Sequence, residues 1–96
     1  MEISELRSQI DQIDEELVTL FCKRMAVSAQ ISDYKKERNL PIYVPARERE
    51  ILAEVGKMAG SDMSNYTKVL YSLIFELSRS YQSKRNNTSS VLHDTI

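Results

Sequence analysis

One apolar stripe runs without interruption through the N-terminal part of the chain. Its members recur at alternating spacings of three and four residues, and they are Ile3, Leu6, Ile10, Ile13, Leu17, Leu20, Arg24, Val27, Ile31 and Tyr34. This spacing is the period of an α-helix that packs along a seam, so the sequence predicts one long helix from about Ser4 to Arg38. Arg24 is the only charged member of the stripe. An arginine at this position indicates that an anionic group enters the interior.

Two further helical patterns follow the long one. Pro41 ends the first helix, because the residue before a proline avoids helical dihedral angles and the ring lacks an N–H donor. Pro45 suits the first position of a second, short helix that ends at Gly60. A third helix of medium length begins near Ser64 or Asn65. Its apolar face is predicted to be buried and contains Tyr66, Val69, Leu70, Leu73, Ile74, Leu77 and Tyr81. With two glycines and two prolines in the whole chain, the predicted fold class is all-α.

The composition indicates one small domain followed by a polar tail. The 96 residues bury only a modest part of their surface unless the chain associates with another copy. Residues 1–82 carry the helical patterns and are predicted to form the domain. Residues 83–96 are polar and lack periodicity, so we expect a frayed end or a linker there.

Charge and apolar content argue against two classes of partner. The 13 basic and 14 acidic residues are well mixed along the chain, so no basic face for nucleic acid is expected. No apolar run approaches the length of a membrane span, and the first residues lack a basic region followed by an apolar signal core. A single cysteine, Cys22, cannot form an intrachain disulfide. We therefore expect a cytoplasmic protein.

The basic residues of the first helix call for a second copy of the chain. Arg7 and Lys35 flank the stripe that holds Arg24. At a rise of about 1.5 Å per residue, Arg7 lies about 25 Å from Arg24 along one helix, too far for both to hold one small molecule. If two long helices pair antiparallel around Leu20, the partner's Arg7 approaches Asp33, between Arg24 and Lys35. The sequence thus predicts an intertwined helical homodimer with two composite sites, in which arginine and lysine grip carboxylate groups.

Polar residues on the second and third helices add to this pattern. Arg47 and Glu48 fall in the first turn of the second helix, directly after Pro45. Ser78 and Gln82 lie one turn apart on the third helix, where they interrupt apolar surface. Polar groups buried without partners cost roughly 1 to 3 kcal/mol each, so a ligand would satisfy them.

The order and spacing of these residues resemble the all-helical (type II) class of chorismate mutases. The similarity extends from about Ile3 to Gln82. It rests on Leu6-Arg7-x-x-Ile10-Asp11-x-Ile13-Asp14, Arg24, Lys35, Pro41, Arg47-Glu48, Ser78 and Gln82. The resemblance implies an isomerase of aromatic amino-acid biosynthesis that binds chorismate, a dianionic enolpyruvyl ether, and rearranges it to prephenate without a metal or cofactor. Similar domains often precede another enzyme of the pathway in one chain, so residues 83–96 are either a native end or a cut linker.

The resemblance also implies how the two carboxylates are bound. Arg24 and the partner's Arg7 would pair with the side-chain carboxylate of chorismate. Arg47 would pair with the ring carboxylate, and Ser78 would assist there. These assignments place basic side chains of both copies around one substrate.

The remaining implied roles concern the ether oxygen and the ring hydroxyl. Lys35 and Gln82 would donate to the ether oxygen, and Glu48 would accept from the ring hydroxyl. Val44 departs from the family pattern, which commonly has an aspartate at this position near the hydroxyl. We expect the departure to be minor, because the position can contribute through its backbone.

Other functions fit the same residues. Isochorismate pyruvate-lyase resembles this family in fold and in its anion-binding residues. A dimerisation or ligand-sensing module could bind prephenate, phenylalanine or another aromatic acid without turnover. Taken singly, Arg24 also reads as an ion-paired core residue, with Asp14 or Glu15 of a partner as its counter-ion.

Overall fold

Three α-helices make up the described part of the chain. The computed structural model describes the backbone of residues 2–95 and the side chains of residues 2–85. The helices are α1 (Ile3–Glu37), α2 (Pro45–Ala59) and α3 (Ser64–Thr95), and no strand occurs between residues 2 and 95. α3 contacts both α1 and α2, and the overall dimensions are 60 × 30 × 16 Å. The predicted all-α fold class is confirmed.

A hydrogen-bonded turn ends α1. Asn39 has a φ of 56°, in the left-handed region that asparagine tolerates better than most residues. The N–H of Leu40 donates to the carbonyl of Lys35 at 2.8 Å. The N–H of Asn39 donates to the carbonyl of Lys36 at 3.3 Å. This pair of bonds is the Schellman motif, which satisfies the last carbonyls of a helix and turns the chain away.

The bounds of α2 follow from Pro45 and Gly60, as predicted. Pro45 occupies the first helical position, where a missing N–H costs nothing. Gly60 caps the other end with a φ of 82°, a conformation that L side chains rarely adopt. The second helix is therefore short because both of its ends are determined locally.

α3 continues beyond Gln82, where the predicted pattern ended. No glycine or proline interrupts residues 83–95, and Arg85 pairs with Asp33 of α1 at 3.3 Å. Both features favour a further helical turn. The division into a domain of residues 1–82 and a tail of residues 83–96 stays a prediction, because the side chains after Arg85 lie outside those described.

The apolar stripe of α1 is not buried within one chain. Every residue from Glu2 to Lys23 is exposed. Only Ala29 and Ser32 are buried on this helix, because α1 meets α3 through its C-terminal half. The exposed members of the stripe are Ile3, Leu6, Ile10, Ile13, Leu17, Leu20, Val27, Ile31 and Tyr34.

The prediction for the buried face of α3 is wrong within a single chain. Of the seven predicted residues only Ile74 is half-buried, and the exposed ones are Tyr66, Val69, Leu70, Leu73, Leu77 and Tyr81. The inward residues are Phe75, Ser78 and Gln82. The physical reason is that α3 has two faces able to pack, and α1 and α2 cover the one that carries Phe75.

Candidate active site

A cleft of about 330 Å³ opens where the C-terminal half of α1, the start of α2 and α3 meet. All of the predicted site residues except Arg7 line it. They are Arg24, Lys35, Val44, Arg47, Glu48, Ser78 and Gln82. Arg7 is exposed on the N-terminal half of α1, outside the cleft.

Arg24 is held from two directions. Its guanidinium donates to the Ser78 hydroxyl at 3.3 Å, and that hydroxyl lies 3.6 Å from the sulfur of Met25. The Arg24 Cζ atom also lies 5.6 Å from the ring centroid of Phe75 and 5.8 Å from that of Tyr71, within range of a cation–π interaction. A guanidinium carries five N–H donors, so most of them are left for a ligand.

Gln82 is buried and already hydrogen-bonded to α1. Its Nε2 atom donates to the carbonyl and to the hydroxyl of Ser28, both at 2.9 Å. These two bonds use both N–H groups of the amide. Donation to a ligand therefore requires the amide to release one acceptor, and the Ser28 hydroxyl can rotate away. Ser28 was not predicted, although it lies one turn after Arg24 on the same helical face.

Lys35 connects α1 to the segment that precedes α2. Its ammonium donates to the carbonyl of Ile42 at 3.1 Å. An ammonium has three donors, so two are left for a ligand in the cleft. This single bond holds the Lys35 ammonium at the cleft wall and leaves most of its capacity for hydrogen bonding.

The two charged residues at the start of α2 have different partners. Arg47 is exposed and pairs with Glu50 at 3.1 Å, whereas Glu48 accepts a hydrogen bond from Arg79 of α3. The Arg79 Cζ atom lies 4.5 Å from the ring centroid of Tyr43. The pKa of Arg79 is raised, chiefly because its guanidinium hydrogen-bonds to the Glu48 carboxylate. Arg79 lines the cleft but was not predicted, and its adjacency to Ser78 was the only signal available in the sequence.

Val44 lies at the N-cap of α2 in an extended conformation. Its carbonyl accepts from the N–H groups of Arg47 at 3.1 Å and Glu48 at 3.2 Å. Its side chain makes no capping hydrogen bond, unlike an aspartate at an N-cap. Val44 thus caps α2 through its backbone carbonyl and adds apolar surface to the cleft.

The charge of the cleft wall is predominantly positive. Four basic side chains face one carboxylate, and the lining also includes aliphatic residues such as Ile31 and Ile51. Concave sites of this size, apolar with a few placed charges, bind small organic molecules. A small anion with an apolar body suits a wall that combines basic and aliphatic side chains.

The described part of the chain offers neither a metal site nor a membrane span. No group of three His, Cys, Asp or Glu side chains there is placed to hold a metal ion. The same residues include no helix with the length and apolar character needed to cross a bilayer.

Fold and cleft together define an all-α protein with a positively charged cleft between three helices. The sequence model of the chorismate mutase type II family matches residues 6–83. The chain belongs to this family.

Similarity to individual proteins covers a shorter segment. The chain is 46% identical over 54 residues to a bifunctional chorismate mutase/prephenate dehydratase of Aquifex aeolicus, which covers 56% of this chain and 15% of that relative. It is 43% identical over 58 residues to the T-protein of Enterobacter agglomerans, and the match covers 60% of this chain and 16% of that relative. A chorismate mutase of Methanocaldococcus jannaschii is 29% identical over 56 residues, and the match covers 58% of this chain and 57% of that relative.

The matched segment spans about one sixth of the first two relatives and somewhat more than half of the third. No solved structure gives a significant match.

Proposed function

We propose that this chain is a chorismate mutase, which isomerises chorismate to prephenate. The observation that carries the proposal is the meeting of Arg24, Lys35 and Gln82 in one positively charged cleft, although they are far apart in the sequence. Membership of the family supports the same reaction. The proposal applies whether the chain acts alone or as one part of a longer enzyme.

The reaction requires positioning and charge placement rather than a nucleophile. The ether C–O bond breaks as a C–C bond forms within the same molecule, and partial negative charge grows on the ether oxygen. Arg24 and Arg47 would hold the two carboxylates, so that the reacting arms stay folded over each other; such restriction lowers a barrier by several kcal/mol. Lys35 and Gln82 would donate to the developing charge, an interaction that is stronger in the transition state than in the ground state.

The other cleft residues would determine how the ring is bound. Glu48 would accept a hydrogen bond from the ring hydroxyl. Ser78, which already accepts from Arg24, would assist at the ring carboxylate. Val44 would contribute through its backbone and its apolar side chain.

We further propose that the active form is an intertwined homodimer. A chain whose buried apolar side chains are Ala29, Val55 and Phe75 among the described residues has little core of its own. Nine apolar residues of the α1 stripe are exposed along one face of the helix, and contiguous exposed apolar surface of this kind marks an interaction site. A second copy would cover this stripe and bring the partner's Arg7 to the cleft. The cytoplasm is the proposed compartment, because the lone Cys22 forms no intrachain disulfide.

The first experiment follows the conversion of chorismate to prephenate by the purified protein, with isochorismate in parallel. Turnover of chorismate that is lost in Arg24→Ala supports the proposal. Pyruvate release from isochorismate without chorismate turnover would favour the lyase instead. Binding of prephenate or an aromatic amino acid without any turnover would favour a sensing module.

Mixing two inactive variants tests whether each site is built from both copies. In a heterodimer of Arg7→Ala and Arg24→Ala chains, one composite site keeps both arginines and the other loses both. A random mixture is therefore expected to recover about a quarter of the wild-type activity, since half of the dimers carry one intact site of two. If Arg7 and Arg24 of the same chain served one site, the mixture would stay inactive.

A further inference from the structure

Arg79 lines the cleft, and none of the proposed binding or catalytic roles belongs to it. Its side chain is 30% exposed and that of Glu48 is 23% exposed, so the pair is largely shielded from water. Arg47, the neighbour of Glu48 in sequence, pairs with Glu50 instead. Among the side chains of residues 2–85, Arg79 alone donates a hydrogen bond to the Glu48 carboxylate, through Oε2.

One guanidinium thus connects three segments of the chain beside the cleft. Arg79 belongs to α3, Glu48 lies in the first turn of α2, and Tyr43 lies in the segment between α1 and α2. The planar guanidinium bonds to the carboxylate and lies over the Tyr43 ring. Arginine is suited to such a junction because its fork pairs with carboxylates and its face stacks on aromatic rings.

The charge of Glu48 creates a difficulty that Arg79 resolves. A carboxylate facing a dianionic ligand repels it, and more strongly when both are shielded from water. A neighbouring guanidinium offsets this repulsion. Because Arg79 holds Oε2, the Oε1 atom is left to accept a hydrogen bond.

We propose that Arg79 is a positioning residue that neutralises and orients Glu48, so that Oε1 accepts from the hydroxyl of the bound anion. This inference rests on the proposed function, because Glu48 is assigned to the ring hydroxyl there. Arg79 acts through Glu48 and does not itself hold a ligand carboxylate.

A double-mutant cycle with Arg79→Met and Glu48→Gln, read as kcat/KM for chorismate, tests this role. Arg79→Met alone is expected to lower kcat/KM about tenfold or more, because a misplaced binding group costs that much. When Glu48 is already glutamine, the same change is expected to matter by less than about twofold, since residues acting as one unit are not additive. Arg79→Lys keeps the charge and is expected to recover part of the activity that Arg79→Met loses.

Arg85 provides a matched control on the same helix. It also pairs with a carboxylate, Asp33, and its Cζ atom lies 5.8 Å from the ring of Tyr81, but it lies outside the cleft. Arg85→Met is expected to leave kcat/KM within about twofold of wild type, as ordinary surface changes do. Circular dichroism of each variant checks that the helices remain intact.

The possible results separate this inference from the proposed function. If wild type converts chorismate but the Arg79→Met and Glu48→Gln effects multiply, Arg79 binds the ligand directly and the positioning role is overturned. If Arg79→Met lowers the unfolding midpoint without changing kcat/KM, the ion pair is only structural and the inference again fails. A folded wild-type protein that converts no chorismate removes the proposed function and this inference with it.

Discussion

The two halves of α1 differ in how far one chain completes them. From Arg24 onward, the helix contacts α3 through specific hydrogen bonds, including those of Arg24 to Ser78 and Gln82 to Ser28. Up to Lys23, every residue is exposed although the apolar stripe continues unchanged. One half forms the wall of a cleft, and the other half is a surface without a partner in the described chain.

One apolar stripe thus lines a cleft in one half of the helix and forms an uncovered surface in the other half. An apolar stripe indicates which face of a helix leaves water, but not whether the covering surface belongs to the same chain. One charged residue within the stripe distinguishes the two halves here. The C-terminal half carries Arg24 and leads to Lys35, and both line the cleft.

The largest effect on activity is expected from Lys35→Met, in the half of α1 that lines the cleft. This change removes the ammonium proposed to donate to the ether oxygen and is expected to lower kcat for chorismate by about 10²- to 10³-fold. Lys36→Met is the matched control, because Lys36 is exposed and lies outside the cleft. Steady-state kinetics on both variants makes the measurement. Equal activities for the two variants would contradict a direct role for Lys35.

The next largest effect is expected in the exposed half, from Leu17→Asp. If a second copy covers the stripe, the carboxylate is buried in an apolar interface and costs about 3 kcal/mol or more of unfolding free energy. Thr19→Asp is the control, because Thr19 is exposed and lies off the stripe. It is expected to lower the unfolding free energy by no more than about 0.5 kcal/mol. Sedimentation and urea unfolding at one protein concentration measure both. Equally mild effects would mean that water, not a partner, covers Leu17.

The sequence predicted the elements and most of the cleft, because those signals are local or depend on spacing. Pro45 and Gly60 bound α2 through their own backbone preferences. The inward face of α3 could not be predicted in the same way, because choosing Phe75 over Leu73 depends on which helix packs against it. The pairing of Arg79 with Glu48 was likewise invisible, since it joins residues brought together only by tertiary packing.

A smaller effect with a distinctive pH dependence is expected from Gln82→Glu. An ionised glutamate only accepts hydrogen bonds, so it cannot donate to the ether oxygen, and kcat/KM at neutral pH is expected to fall about 10²-fold. The protonated carboxyl is a donor, so activity should rise as the pH falls through the pKa of the new residue. Position 82 is buried, and burial disfavours the ionised form of a carboxyl group.

The amide of wild-type Gln82 does not titrate, so wild type should show no such rise at low pH. Gln82→Met has no hydrogen-bond donor at neutral or at low pH, so its activity is expected to stay low at every pH. pH–rate profiles of the three proteins therefore test whether donation at this position matters. A Gln82→Glu variant with a flat profile would mean that Gln82 acts only by bonding α3 to Ser28 of α1.

The smallest effect is expected from Val44→Asp, at the boundary of the cleft and α2. A carboxylate at the N-cap accepts from the first N–H groups of the helix and is expected to add about 1 kcal/mol to the unfolding free energy. Val44→Asn offers a similar cap without the charge, so a gain in both variants identifies the hydrogen bond. A gain of unfolding free energy in Val44→Asp alone would mean that the new carboxylate is stabilised by its attraction to nearby basic groups. A loss of stability in both variants would show that the apolar contacts of Val44 in the cleft outweigh a cap. The cleft would then depend on apolar packing, as the exposed half of α1 is proposed to do.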